Sequence, residues 1–371
     1  MLTRNELPSL KIGEKTARIA IIQGGMSVGV SLAGLAAAVA DAGGIGVIGT
    51  AGIGSTEPDI HTDYAAANRR GLQREIRKAR RNTDGLIGVN IMMALSDYDA
   101  MIKISLEEEV DFIFIGAGLL LRLPDTLSIE EIKSSKTKII PVISSAKGVS
   151  VMFKYWSRFY DHVPDAVVVE GPMAGGHLGF TKEMIEDPAY ALENIVPEVI
   201  EEVKPYREQY KKGIPVIAAG GIYTGADIHK FLKLGADGVQ MATRFVATHE
   251  CDASIKFKQM YINSNKDDIV IIQSPVGMPG RAVNNEFLEA VAQGQKMPFS
   301  CGWKCLRTCD FRTSPYCIAV ALVSAKEGRL DRGFAFAGAN AYRVDRLYTV
   351  KELIDILSNE YDEAVNAEEQ Q

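Results

Sequence analysis

Histidine is scarce in this chain, with five among 371 residues, and so are cysteine, also five, and tryptophan, two. No apolar stretch reaches the roughly 18 to 20 uncharged residues that a membrane span needs. The nearest candidate, SLAGLAAAVADAGGIGVIG, is broken by Asp41 and by glycines. The opening MLTRNELPSLKIGEKTAR lacks the apolar core of a secretion signal. A surplus of positive charge is missing too: 41 basic against 47 acidic residues leave a net charge of -6, with one short basic cluster, NRRGLQREIRKARRN at 68 to 82. That cluster reads as a solvated helix face, so nucleic acid is not expected as a partner. The expectation is a cytoplasmic protein with no membrane contact, whose few cysteines stay unbridged in a reducing compartment.

What the chain has is ordinary globular composition, 47% hydrophobic and 24% charged. Short β-branched apolar runs recur, each bounded by Gly, Pro or Asn and followed by a stretch of helical period. They are ARIAIIQGG (17 to 25), GIGVIGT (44 to 50), LIGVNIM (86 to 92), VDFIFIGAG (110 to 118), TKIIPVISS (137 to 145), PDAVVVEG (164 to 171), IPVIAAGGI (214 to 222) and DGVQMATRF (237 to 245). Eight strands this uniformly apolar are buried on both faces. Eight βα units predict an α/β fold, a TIM (β/α)8 barrel, with a doubly wound open sheet as the alternative. The expected organisation is a barrel over 1–263, a smaller cap or insertion region over 264–345, and a C-terminal helix with a polar tail over 346–371.

In such a barrel function collects at the C-terminal strand ends, and phosphate groups bind at the loops after strands 7 and 8. After strand 7 stand Ala219, Gly220 and Gly221, where backbone N–H groups can approach a phosphate, with a helix starting near 224 to 227. After strand 8 stand Gln240, Met241, Ala242 and Thr243, small or hydroxyl-bearing at the key positions. The other strand ends carry Gly24, Gly25, Met26, Asn90, Ser145, Gly175 and Gly176, a set poor in charge that suits a flat heteroaromatic ring. Asn90 can pair with a ring carbonyl and N–H together. His177, in EGPMAGGHLGF, is the expected catalytic residue, because an ordinary imidazole exchanges protons near neutral pH. The other four histidines read as solvated.

Five segments in order, IAIIQGGMSVGVSLAGLAAAVADAGGIGVIG, GVNIM, VVVEGPMAGGHLGF, PVIAAGGIYTGADIHKFLKLGADGVQMATRF and GMPGRAVNNEF, resemble the motifs of the nitronate monooxygenase family, formerly 2-nitropropane dioxygenases. That family includes flavin-dependent enoyl-acyl-carrier-protein reductases and quinone reductases. The resemblance implies non-covalent FMN, its phosphate on the Ala219–Gly221 and Met241–Thr243 loops and its ring near Met26, Asn90, Ser145 and Gly175, with His177 as the active-site histidine. It also implies a small-molecule substrate, most directly an alkyl nitronate oxidised with O2. An NAD(P)H-dependent enoyl or quinone reductase is the alternative, and a flavin-binding regulatory protein without turnover is the alternative of another class. A homodimer is a possible assembly. Two departures stand out: Ala242 where relatives often have glycine, and Met173 where they often have glutamate.

One feature falls outside these motifs. Cys301, Cys305, Cys309 and Cys317 follow one another as C-x3-C-x3-C-x7-C, a spacing foreign to standard zinc ribbons and ferredoxins. On a helix the first three would share one stripe. Buried or redox-active thiols are the expectation, with a metal cluster the lesser alternative.

Overall fold

The computed structural model describes residues 5–307 and 309–370. Eight strands carry the fold: β1 (Ile21–Gln23), β2 (Gly46–Gly49), β3 (Ile87–Met92), β4 (Phe112–Gly116), β5 (Lys138–Ile143), β6 (Val167–Glu170), β7 (Val216–Ala219) and β8 (Gly238–Met241). Each pairs in parallel with its sequence neighbour from β2 to β8, and β8 pairs in parallel with β1. Closure comes from a parallel bridge between Ile22 and Ile45, with Ile45 N–H donating to Ile21 O at 3.0 Å and Gln23 N–H to Ile45 O at 2.9 Å. The sheet is therefore a closed barrel, and the open-sheet alternative falls.

Alternation along the strands sorts the core into two layers, as the period of two requires. Ile22, Val47, Phe112, Phe114, Ile140, Val168 and Ile217 fill the barrel interior. Ile21, Ile48, Val89, Ile113, Val167 and Val169 belong to the larger cluster shared with the helices. An N-terminal hairpin, Leu10–Ile12 with Lys15–Ala17, adds Leu10, Ile12 and Ala17 to the interior cluster. Leu10 lies 3.1 Å from where a Cβ on Gly238, the first residue of β8, would stand. The hairpin thus plugs the N-terminal end of the barrel and leaves the other end for the site.

The basic cluster lies in a helix, Tyr64–Asn82, and is less free than a solvated face. Arg70 and Arg74 pair with Glu57, Arg77 with Glu108 at 2.6 Å, and Arg80 with Asp111 at 2.8 Å.

Residues after the barrel fold back over its C-terminal end. A hairpin of Ile269–Gln273 and Pro279–Val283 extends into a three-stranded antiparallel sheet by pairing with Gly176–His177, so the loop after β6 becomes an edge strand of the cap. Phe287, Leu288, Tyr316, Ile318, Ala321 and Phe334 form the cap's own apolar cluster. Among the described residues from Cys301 to Cys317 there is no helix or ladder strand, only a bridge from Leu306 to Leu95, so the helical stripe that the spacing would allow is not formed by them. The last helix, Val350–Glu369, starts at Thr349, whose hydroxyl accepts from Glu352 N–H while the Glu352 carboxylate takes the Thr349 N–H. It crosses the helix Gly225–Lys233 so closely that a Cβ on Gly225 would stand 2.2 Å from the backbone nitrogen of Tyr361.

That contact cannot open without moving a whole helix. Gly225→Ala should therefore lower stability by about 1–3 kcal/mol, read as an earlier midpoint in a urea titration. An unchanged midpoint would mean that the C-terminal helix docks more loosely than this.

Candidate active site

At the C-terminal end of the barrel lies a cavity of about 780 Å³. Every residue expected from the sequence to be catalytic or to hold the cofactor reaches its wall: Gly24, Gly25, Met26, Asn90, Ser145, Gly175, Gly176, His177, Ala219, Gly220, Gly221, Gln240, Met241, Ala242 and Thr243. They arrive from β1, β3, β5, β6, β7 and β8, and barrel closure is what makes them neighbours.

The turn after β7 depends on glycine. Gly220 and Gly221 have φ of +93° and +88°, and a Cβ on Gly220 would sit 2.9 Å from Gly171 O. The helix that follows is not open to a ligand as the sequence suggested. Thr224 and Asp227 cap it reciprocally, and Glu360 of the C-terminal helix accepts the Gly225 N–H at 2.7 Å. The helix end presented to the cavity is instead the four-residue Thr243–Val246 after β8, whose N-cap, Ala242, supplies no side-chain cap. A short extra helix at this place is the usual phosphate site of the fold.

Across the cavity Gly25 and Asn90 meet so tightly that a Cβ on Gly25 would lie 2.5 Å from Asn90 Cβ. The Asn90 side-chain amide makes no hydrogen bond among the described residues, whereas its backbone oxygen accepts from Thr50 N–H and Oγ1–H. Ser145 stands at the exposed rim, its hydroxyl accepting from Gly148 N–H at 3.2 Å as the N-cap of Ala146–Tyr160. Its first role is therefore local.

The loop after β6 is braced by the cap. A Cβ on Gly175 would stand 2.5 Å from the carbonyl carbon of Ala337, and Gly176 has φ of +81°. Arg281, buried, donates to Pro172 O and Ala174 O, both at 2.6 Å. Burial pushes its guanidinium down to about 10, which leaves it charged at neutral pH. Asn340 Nδ2 donates to Gly221 O at 2.7 Å, so the cap also fixes the β7 turn.

His177 Nε2 lies 2.7 Å from Ser274 Oγ, and its ring meets Phe336 edge-on at 4.9 Å between centroids. Burial pushes the imidazole down to about 4. It is uncharged at neutral pH, which corrects the expectation of ordinary titration. Sequence reasoning assigned nothing to Ser274, Phe336 or Asn340. Their roles arise only from contacts spanning tens of residues or more, and Arg281 was visible merely as part of a motif.

Glu170 was also missed, although it opens the glycine-rich stretch. It ends β6 in register with Ala219, lines the cavity, and its carboxyl has no hydrogen bond or ion pair among the described residues. Burial alone pushes its carboxyl up to about 7. Neither lysine nor arginine is among the described residues lining the cavity. The cap side of the wall is apolar, with Leu306, Ile318, Ala319, Leu322, Met278 and Phe336.

Cys305 is buried in the same wall, while Cys301, Cys309 and Cys317 are half-buried, and all four are free thiols. Among the described residues no three His, Cys, Asp or Glu side chains are placed to hold a metal ion. The segment is pinned by Trp303, which stacks on Tyr64 and donates its indole N–H to His61 Nδ1 at 3.0 Å. His61 is thus a tether rather than a merely solvated histidine. His162, half-buried beside Trp156 and pushed down to about 4, departs from that reading too.

Burial of these two groups, His177 and Glu170, biases stability in opposite directions. The unfolded chain protonates His177 near 6.5 and the folded one only near 4, so this histidine costs stability as pH falls between those values. Glu170 ionises earlier in the unfolded chain, so its contribution is lost as pH rises from the ordinary carboxylate range towards 7. His177→Gln should flatten the acid side of a stability–pH curve and Glu170→Gln the side approaching neutrality. Urea midpoints across that range check both signs, and parallel shifts at every pH would contradict them.

The sequence model of the nitronate monooxygenase family matches residues 9–104 and 94–360. A probable nitronate monooxygenase of Staphylococcus aureus (strain JH9) is 29% identical over 291 residues, covering 74% of this chain and 77% of that protein. Among solved structures, FabK from Thermotoga maritima superposes with a TM-score of 0.72 at 29% identity, covering 95% of both chains. A nitroalkane oxidase from Streptomyces ansochromogenes shares the fold with a TM-score of 0.71 at 24% identity, covering 95% of this chain and 98% of the other. With a closed barrel, the ordered motifs at its strand ends and a family match along most of its length, the chain belongs to the nitronate monooxygenase family of oxidoreductases.

Proposed function

We propose that the chain is an FMN-dependent oxidoreductase that oxidises alkyl nitronates with O2 to a carbonyl compound and nitrite. The observation that carries this reading is the pairing of an uncharged, anchored His177 with glycine-built β7 and β8 strand ends in one cavity. About 780 Å³ lies within the range of cofactor and small-molecule sites. The residues present fit FMN. Backbone N–H groups at Gly220, Gly221 and the start of Thr243–Val246 would take the phosphate. The free amide of Asn90 and the backbone at Gly25 and Met26 would take the polar edge of the ring.

FMN would supply electron acceptance and the reaction with O2; the chain supplies binding, orientation and proton control. Val276 N–H donates into Ser274 Oγ at 3.4 Å, so the hydroxyl is free to donate its own proton to His177 Nε2. In that arrangement the imidazole proton sits on Nδ1 and can hydrogen-bond a nitronate oxygen. Being uncharged, His177 also accepts a proton more readily than it gives one. Phe336 and the apolar cap exclude water around it.

A second reading, NAD(P)H-dependent reduction of a neutral unsaturated substrate such as an enoyl thioester or quinone, draws support from the cap wall. No described lining residue is a lysine or arginine that would pair with a nitronate anion.

The purified protein should carry FMN and release nitrite from propyl-2-nitronate only in air. His177→Asn should lower kcat by about 10² or more, and Ser274→Ala by roughly tenfold, the weight of one lost orienting hydrogen bond of about 1.4 kcal/mol. The rate should show no His177 limb at neutral pH, because that group titrates near 4. Nitrite-free turnover with rapid bleaching by NADH or NADPH would replace this reading with the second.

A further inference from the structure

Among the described residues Glu170 is the one carboxyl on the cavity wall, and none of them hydrogen-bonds or ion-pairs with it. Its place is fixed rather than loose. It is the last residue of β6, opposite Ala219 of β7, which is itself opposite Gln240 of β8. All three stand at the strand ends beneath the proposed flavin site. The other titratable groups on that wall are His177 on the following loop, Tyr64, Tyr261 of the helix Ile255–Ile262, and Cys305 of the cap. None compensates a negative charge at Glu170. His177 is uncharged, Tyr261 donates its hydroxyl proton to Phe336 O, and burial raises Tyr64, Tyr261 and Cys305 away from ionisation.

A carboxylate here would face a wall whose described residues include no lysine or arginine, and a reduced flavin would add further negative charge to the same space. Two negative charges at close range in a cavity of low polarity are strongly unfavourable, and the proton is the only cation the site can admit without new ligands. Building on the flavin reading above, we propose that Glu170 is a redox-linked proton site: it takes up one proton from water when the bound flavin is reduced, and releases it when the flavin is reoxidised. Electrons come from the flavin's reductant and the proton from solvent. No bond to Glu170 forms other than its own O–H. Burial by the protein alone already pushes the carboxyl up to about 7, so the extra uptake falls on the alkaline side.

The test is a spectroelectrochemical titration of the FMN-loaded protein and its Glu170→Gln variant, with dithionite as reductant, across neutral to alkaline pH. Above neutrality the native midpoint potential should fall more steeply with pH than that of Glu170→Gln. The difference should be about 30 mV per pH unit, the tenfold change per pH unit that one proton contributes to a two-electron couple. Below neutrality the two slopes should converge. If Glu170→Gln fails to retain FMN, infrared difference spectra of the native protein decide the matter: reduction above neutral pH should increase the protonated-carboxyl C=O band. Equal slopes, or no carboxyl band in the difference spectrum, overturn the proton site while leaving the flavin reading standing. A native protein that takes up no FMN overturns that reading and this inference with it.

Discussion

The structure turns on how one glycine-rich loop is held still. Residues 171–176 leave β6 with almost no side chains to pack, so neither hydrophobic contact nor rotamer preference can define their path. The buried guanidinium of Arg281 does so, gripping Pro172 O and Ala174 O at 2.6 Å each, while Gly280 and Arg281 pair in register with His177 and Gly176. Hydrogen bonds from a charged donor in a dry setting are worth more than neutral ones, roughly 1.5–3 kcal/mol each. They also compensate a charge that would otherwise be costly to bury. Removing the guanidinium would leave two buried carbonyls unanswered and the histidine without a fixed approach to the cavity.

Holding the loop this way has an electrostatic consequence. The same cap that grips it packs Phe336 against His177, and burial is what keeps the imidazole uncharged. Glu170, a few residues earlier on β6, is shifted by burial in the opposite direction. Near physiological pH the imidazole therefore rests neutral for lack of a proton, while the carboxyl, pushed up to about 7, holds its proton part of the time. Any charge that develops in the cavity during turnover would meet oriented N–H groups and protonatable side chains rather than fixed ions. Such a site changes its charge by moving protons.

How much of this the sequence disclosed depends on the range of each interaction. The eight strands, the Thr349 cap and the glycines after β7 are written in local pattern, because burial on both faces, N-terminal capping and positive φ each constrain residues a few positions apart. Long-range pairing is not written there. Glu360 occupies the helix end at Gly225 from 135 residues away, and Ser274 reaches His177 across 97. The shift of His177 has the same origin: an imidazole's pKa belongs to its surroundings, which come from the cap. Glu170 escaped notice because a glutamate ending a strand reads as solvated until the strand beside it is known to line a closed barrel. The cysteine spacing would suit a helix stripe, but local pattern could not show that a tryptophan and a β-bridge tie the segment to the barrel mouth, where its described residues form no helix.

These observations divide the labour between barrel and cap. The barrel contributes the glycine turns and the amide that suit a cofactor, and these coincide with the segments that resemble the family. The cap contributes Ser274, Arg281, Phe336 and the apolar wall of Leu306, Ile318 and Leu322, which set the protonation state of the histidine and the polarity a substrate meets. Two family activities, oxidising an anion or reducing a neutral double bond, place opposite demands on that wall while sharing everything beneath it. Substrate choice should therefore change through the cap with the barrel left intact, because one cation added to a wall whose described residues include no lysine or arginine would favour the anion over the neutral double bond.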